Sequence, residues 1–260
     1  MKLTWLTDLH LDCVELSYIE NFFESLNTDA ILITGDIAKS NSFYKHLKRI
    51  QILTNAHVYF VLGNHDLYKG GFKRSETKAV CITNENLTYL TNSNVIKLNE
   101  TTTLVGEDGW YDFDSGPGLY TPIKVQDFKR IEEFKRCHYL NIVNLSKQRS
   151  QVASRKLKDK LEIAIQQGYK NIYIATHFPP FPGAALSENG KIDTDWLPLS
   201  ISVAMGKMLA IMADNNADVN FTVYAGHTHS QIEYKHFDNL KVLVGKAEYG
   251  KIFISGEINL

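Results

Sequence analysis

Apolar residues fall along this chain in short runs, and each run closes on a polar or glycine-marked turn. The runs are "KLTWLTDLH", "AILITGD", "VYFVLGNHD", "TTLVGEDGW", "NIYIATHF", "NFTVYAGHTH", "KVLVGKAEYG" and "KIFISGEI". Stretches of four to six residues rich in Ile, Val, Leu, Thr and Tyr have the pattern of buried strands. Between the early runs the period changes to that of a helix. In "YIENFFESL" the residues Ile19, Phe22, Phe23 and Leu26 form one apolar stripe. "SNSFYKHLKRIQIL" repeats the pattern, with Ser40 or Ser42 placed to cap it. Strand and helix in alternation predict an α/β fold, a parallel-rich sheet with helices over both faces. The late runs "QIEYKHF", "LKVLVG" and "KIFISGEI" follow one another closely, which predicts hairpin-connected antiparallel strands and hence mixed sheets.

One stretch departs from this pattern. Residues 124–160 hold eleven Lys or Arg against four Asp or Glu, with helical stripes running through them. They predict a basic helical insert of two helices joined by a turn near Asn144–Ser146. It serves either as a solvated amphipathic pair or as a cap that draws anionic substrate to a site. No repeat, low-complexity tract or linker divides the rest, so the reading is a single domain over residues 1–260.

Composition narrows the class without naming a partner. The apolar and charged fractions, 44% and 22%, are ordinary for a globular protein. A net charge of −1 gives no whole-molecule attraction for nucleic acid or an anionic membrane. Three scattered cysteines, Cys13, Cys81 and Cys137, form no CxxC pair and favour reduced thiols and a cytoplasmic location. The opening "MKLTWLTDLHLD" has no apolar h-region or cleavage site, so no signal peptide is expected. No apolar stretch approaches the roughly 18 residues that span a bilayer.

The polar residues that end the strands carry more information. Ligands of open α/β sheets gather beyond the carboxyl ends of the strands. Here those ends bear Asp8 and His10, Asp36, Asn64 with His65 and Asp66, His177, and His227 with His229. Five of the nine histidines therefore stand at such ends. One strand-terminal histidine is more often a structural hydrogen-bonder than a ligand. The whole set is different, because buried carboxylates and imidazoles repel or stay unpaired unless a cation lies among them. In an extended chain alternate side chains point the same way, so Asp8 and His10, and likewise His227 and His229, are expected to converge. Gly35, Gly63 and Gly226 precede these residues and permit close backbone approach.

In order, "DLH", "GDI", "GNHD", "TH" and "GHTH" match the five-part signature of the calcineurin-like metallophosphoesterase superfamily, which this chain resembles from Asp8 to His229. Each block alone is weak, and all five in sequence are a strong signal. The resemblance implies a four-layer α/β/β/α sandwich with two mixed β-sheets flanked by helices. It implies two divalent transition-metal ions, manganese first, with iron, zinc, nickel or cobalt as alternatives. By matching positions, Asp8, His10 and His229 would bind one ion and Asn64, His177 and His227 the other, with Asp36 bridging. His65 would face the substrate as the catalytic group, and Asp66 would hydrogen-bond its ring. The imidazole-rich donor set fits those metals better than an all-oxygen magnesium or calcium site.

The activity implied is hydrolysis of a phosphodiester or phosphomonoester by a hydroxide bridging the two ions. The alternative is a nuclease acting on DNA or RNA with the same centre. A third reading, a protein-binding scaffold on this fold, is disfavoured because such members lose ligands and this chain retains all seven. Purple acid phosphatases need a tyrosine where Lys39 stands, and protein Ser/Thr phosphatases carry G-D-x-x-D-R-G and G-N-H-E in place of "GDIAKSN" and "GNHD". A small phosphorylated substrate is therefore the expected partner. Trp110 and Tyr111 are candidates for stacking on it, or else simple loop packing. Phe178 and Phe181 either line the pocket or belong to the core. Arg130, Arg136, Arg149 and Arg155 are candidate phosphate contacts.

Overall fold

In this computed structural model, which describes residues 1–186 and 190–260, the apolar runs become strands, except that Ile252–Ile254 of the last run lies outside any strand and only its end from Gly256 pairs, and the polar ends of the strands collect at one edge. The chain begins with β1 (Lys2–Leu6), α1 (Leu16–Glu24), β2 (Ala30–Thr34), α2 (Phe43–Thr54), β3 (His57–Val61), α3 (Gly71–Ile82) and β4 (Leu87–Tyr89). There follow β5 (Ile96–Lys97), β6 (Thr102–Gly106), α4 (Asp127–Arg130), α5 (Tyr139–Gln166) and β7 (Asn171–Ala175). Last come α6 (Leu197–Ser200), α7 (Val203–Asp214), β8 (Asn220–Ala225), β9 (Ile232–Phe237), β10 (Leu240–Val244) and β11 (Gly256–Asn259).

Two mixed sheets result, ordered β11-β1-β2-β3-β4 and β5-β6-β7-β8-β10-β9. β1 to β4 are parallel, as are β6, β7, β8 and β10, while β11, β5 and β9 pair antiparallel at the edges. β9 and β10 form the expected hairpin. β11 does not extend it. It crosses to the other sheet and lies against β1, with Lys2 opposite Asn259.

Three apolar clusters define four layers. Leu3, Trp5, Leu32 and Val61 from one sheet meet Leu104, Ala175 and Tyr224 from the other. Outside the first sheet, Ile31, Ile33, Val58 and Phe60 pack on Ile19, Phe23, Leu47 and Ile50 of the helices. Outside the second, Ile172, Ile174 and Val223 pack on Leu157, Leu161, Met205 and Leu209. Alternate residues of one strand serve opposite faces, so Leu32 faces the other sheet while Ile31 and Ile33 face helices.

The segment from 124 to 160 is built differently from expectation. α5 is one helix of 28 residues that runs through Asn144–Ser146 without a turn, preceded by the short α4. Of its polar residues, Ser146 and Ser150 are contact residues. Ser146 accepts a hydrogen bond from Trp110 Nε1 at 3.3 Å, and Ser150 Oγ lies 2.8 Å from Ser202 Oγ and 3.1 Å from Asp112 Oδ2. Small hydroxyl side chains let α5 lie close to the loop after β6. Ser42 does stand at the start of α2, but its hydroxyl donates to the Lys39 carbonyl rather than capping the helix.

Candidate metal centre

Every candidate donor sits in a loop immediately after a strand. Asp8, His10, Asp36 and Asn64 come from the first sheet, and His177, His227 and His229 from the second, so the cluster straddles the seam between sheets. Asp8, His10 and His229 form one group of donors lying within 4.8 Å of one another, and Asp8, Asp36 and His177 form another. His10, Asp36 and His65 form a third, so His65 lies within the same range as the other donors.

The backbone that brings them together is not extended. Asp8, His10, Asp36, His227 and His229 have φ of 49°, 41°, 51°, 72° and 59°, in the left-handed region. The convergence expected for Asp8–His10 and His227–His229 therefore has another cause: alternate left-handed residues curl each loop so that both side chains face inward. Each such residue costs about 1–3 kcal/mol, a strain that collects at functional sites. The glycines allow the loops to touch. A Cβ on Gly63 would lie 2.2 Å from Asp36 Oδ1, and one on Gly226 would lie 2.2 Å from both Asp8 Oδ2 and Thr7 Oγ1.

Hydrogen bonds fix which ring nitrogens are bare. His177 Nδ1 is 2.9 Å from the Thr34 carbonyl, and His227 Nε2 is 3.0 Å from that of Leu199. A carbonyl only accepts, so those nitrogens carry the protons. The opposite nitrogens, His177 Nε2 and His227 Nδ1, are left with lone pairs, and both lie 3.2 Å from Asn64 Oδ1. Three acceptors thus converge with no proton among them, an arrangement that a cation satisfies and packing does not. In the other half His10 Nε2 lies 3.2 Å from His229 Nε2, and His229 Nε2 lies 3.4 Å from Asp8 Oδ1. The donor set fits two metal ions.

Electrostatics follow from burial. Desolvation, assisted by Asp8 and Asp66, pushes the Asp36 carboxyl well above the usual carboxylate range. Burial also acts to raise Asp8, but its hydrogen bond with His229 and the nearby imidazoles hold it well below that range. Burial lowers His10 to about 4, His177 to about 3 and His65 to about 2. His229 is the exception: burial pulls it down, yet its bond to Asp8 and the charge there leave it above its ordinary value.

Further expectations are revised. Asp66 does not hold the His65 ring; its two oxygens accept the backbone N–H groups of Ala38 at 2.9 Å and Gly63 at 2.8 Å, which pins the loops after β2 and β3. The His65 ring lies instead 4.4 Å from that of Tyr68 and 4.5 Å from that of His10. Trp110 and Tyr111 cannot stack on a ligand, because both are buried in the core beside Phe178. Phe178 and Phe181 are core residues as well. Arg149 is paired with Glu76 at 2.7 Å and packs 4.1 Å over Phe72; Arg130 lies over Tyr68; Arg136 and Arg155 are exposed. None of the four lines the cleft.

The cleft above the donors has a volume of about 640 Å³. Its walls include Trp196, Tyr249, Lys124 and Asp127, none of which stood out in the sequence. Tyr249 stands with its ring 4.5 Å from that of His10. Asp127 is buried and accepts hydrogen bonds from Asn64 Nδ2 at 2.9 Å and Tyr68 Oη at 2.6 Å. Only its place in the insert could have pointed to it, since 63 residues separate it from Asn64. Among the described residues no helix is long and apolar enough to cross a membrane.

Residues 1–231 match the family model described as calcineurin-like phosphoesterase. No curated protein matches the chain in sequence. Among solved structures it is similar to phosphopantetheinyl hydrolase of Mycobacterium tuberculosis, with 14% identity and a TM-score of 0.71 over 95% of this chain and 89% of that one. A dimetal phosphatase of Danio rerio gives 12% identity and a TM-score of 0.59, covering 95% and 87%. TT1561 of Thermus thermophilus gives 11% identity and 0.53, covering 94% and 88%. At these identities the likeness is one of fold.

Proposed function

The chain belongs to the calcineurin-like phosphoesterase family, and from that premise we propose that it hydrolyses a phosphoester on a small substrate with two metal ions. Asp8, His10 and His229 would hold one ion, Asn64, His177 and His227 the other, and Asp36 would serve both. Manganese is the first choice, with iron, zinc, nickel or cobalt as alternatives. When bound, the two cations supply Lewis acidity, neutralising phosphate charge and making water available as a nucleophile near neutral pH. The observation that carries this reading is the convergence of His177 Nε2, His227 Nδ1 and Asn64 Oδ1, three lone-pair donors with no proton between them.

The chain's own residues do the rest. Asp66 ties the Asp36 and Asn64 loops together through two amides and so keeps the donors in register. His65 is the catalytic group. Its depressed pKa, about 2, makes it a neutral imidazole at physiological pH. It therefore acts as a hydrogen-bond donor to charge developing on the phosphate rather than as an imidazolium acid. Trp196 and Tyr249 give the cleft apolar walls, and Lys124 lines it with its ammonium 4.4 Å over the ring of Tyr139.

A cleft of about 640 Å³ is the size of a small-molecule site. The insert's arginines lie elsewhere, and Asp127 and Asp193 stand in the wall, which weighs against a nuclease tracking a phosphate backbone. The unpaired cysteines support a cytoplasmic location. The test is a substrate screen run separately with Mn, Mg, Zn and Ni. It covers p-nitrophenyl monoesters and diesters, cyclic nucleotides, a phosphopantetheinyl ester, and DNA and RNA. Turnover of a small ester is expected. No turnover with any metal would sink the reading, and a steep salt dependence with nucleic acid would favour the nuclease instead.

A further inference from the structure

We infer that Asp127 is a positioning residue that dictates which end of the Asn64 amide faces the donor cluster. This rests on the metal assignment proposed above. An amide side chain offers an oxygen acceptor at one end and an N–H₂ donor at the other, and its two orientations are nearly isosteric. In the orientation present, Oδ1 meets the bare nitrogens of His177 and His227 at 3.2 Å, while Nδ2 donates to Asp127 Oδ1 at 2.9 Å and, at 3.3 Å, to the Tyr68 hydroxyl that itself donates to the same carboxylate.

Taken by itself, the cluster would prefer the opposite orientation. Turned over, Asn64 would direct N–H bonds at the two bare imidazole nitrogens and satisfy them without any cation. Asp127 forbids this. Asp127 Oδ1 acts as an acceptor here, so a reversed amide would set oxygen against oxygen inside a buried pair. The carboxylate is itself held by Tyr68 Oη at 2.6 Å, and Tyr68 lies on the same loop as Asn64. The lock therefore keeps an oxygen donor turned toward the cluster even when no ion compensates it. Asp127 comes from the start of α4, in the segment between β6 and α5, so this segment reaches the site through a carboxylate as well as through Lys124.

The sharpest variant is Asp127→Asn, which preserves shape but offers both a donor and an acceptor, so the Asn64 amide becomes free to reverse. Metal-loaded wild type and variant are compared by titration calorimetry and elemental analysis with manganese and with zinc. One equivalent is expected to bind as in wild type, and the other about 10–100-fold more weakly, the usual cost of losing an outer partner of a metal ligand. Retention of both equivalents at wild-type affinity would overturn the inference. A second readout needs no metal. In metal-free protein with ¹⁵N-labelled histidine, the bare-nitrogen resonances of His177 and His227 should move upfield in the variant as the amide begins to donate to them. Unchanged resonances would also overturn it. Should wild type take up no cation, the functional reading falls while the resonances still decide the role of Asp127. If Asp127→Asn does not fold, Tyr68→Phe, which removes the hydroxyl holding the carboxylate, is expected to weaken the same equivalent by less than about tenfold, and an unaltered affinity would count against the lock.

Discussion

At the scale of single residues, the cluster combines three devices: left-handed backbone, glycine contacts and proton placement. The first two make specific demands. Gly63 has an ordinary φ, so Gly63→Ala adds no backbone strain; its cost comes from a Cβ 2.2 Å from Asp36 Oδ1. We expect about 1–3 kcal/mol of destabilisation and displacement of Asp36, read as a fall in both melting temperature and bound metal. A variant with wild-type metal content would show that the loops do not need this approach. His65→Ala should retain both ions and lose roughly two to four orders of magnitude in turnover, measured on whichever ester the screen identifies. Residue types were legible in the sequence because packing alone rarely gathers carboxylates, imidazoles and an amide at the ends of apolar runs. Their conformation was not. An alternation of Asp8 with His10 looks the same in letters whether the backbone is extended or left-handed. Only the φ values tell the two apart, and they depend on contacts with loops far away in sequence.

At the scale of elements, β1, β2, β3, β6 to β10, α1 and α2 were readable from period alone, whereas β4, β5, α5 and β11 were not. α5 carries Asn144, Ser146 and Ser150 where an isolated amphipathic helix would show a break. Ser146 and Ser150 are tolerated because Trp110, Asp112 and Ser202 pack against them, a tertiary cause that no local window contains. The continuity of this helix has a direct test. Asn144 is exposed, so Asn144→Pro removes no core contact, yet in a helix interior it should cost about 3 kcal/mol or more. Thermal unfolding followed by circular dichroism measures it, and a negligible effect would restore a turn at this point. β11 left its expected hairpin because β1 offered an unpaired edge in the other sheet, a choice made by topology rather than by propensity.

For the molecule as a whole, the sheets and their helices make a scaffold whose two halves are joined at the donor cluster. Metal removal should therefore be felt globally. Saturating manganese or zinc at about a hundredfold over Kd should stabilise the fold by about 2.7 kcal/mol per site, seen as a metal-dependent rise in melting temperature; a midpoint indifferent to chelation would contradict the cluster's role. Binding should also release protons. Asp36 is held protonated to well above the usual range in the metal-free protein, and a cation favours its ionised form. His229, held above its ordinary value by Asp8, adds to that release, whereas the imidazoles of His10 and His177, with pKa values of about 4 and 3, are already neutral at physiological pH and contribute none there. Affinity should thus weaken as the pH falls through the raised Asp36 value. Calorimetry in buffers of different ionisation enthalpy would reveal the proton, and identical heats in all buffers would argue against it.

The split of donors between the two sheets bears on how the protein is made. Residues 8–64 emerge from the ribosome long before His177, His227 and His229, so a nascent chain holds only part of either binding set. With this ligand set, tight capture of ions is expected only after the sequence through His229 has been synthesised and the second sheet has docked, which would make metal loading a late event in the making of the chain.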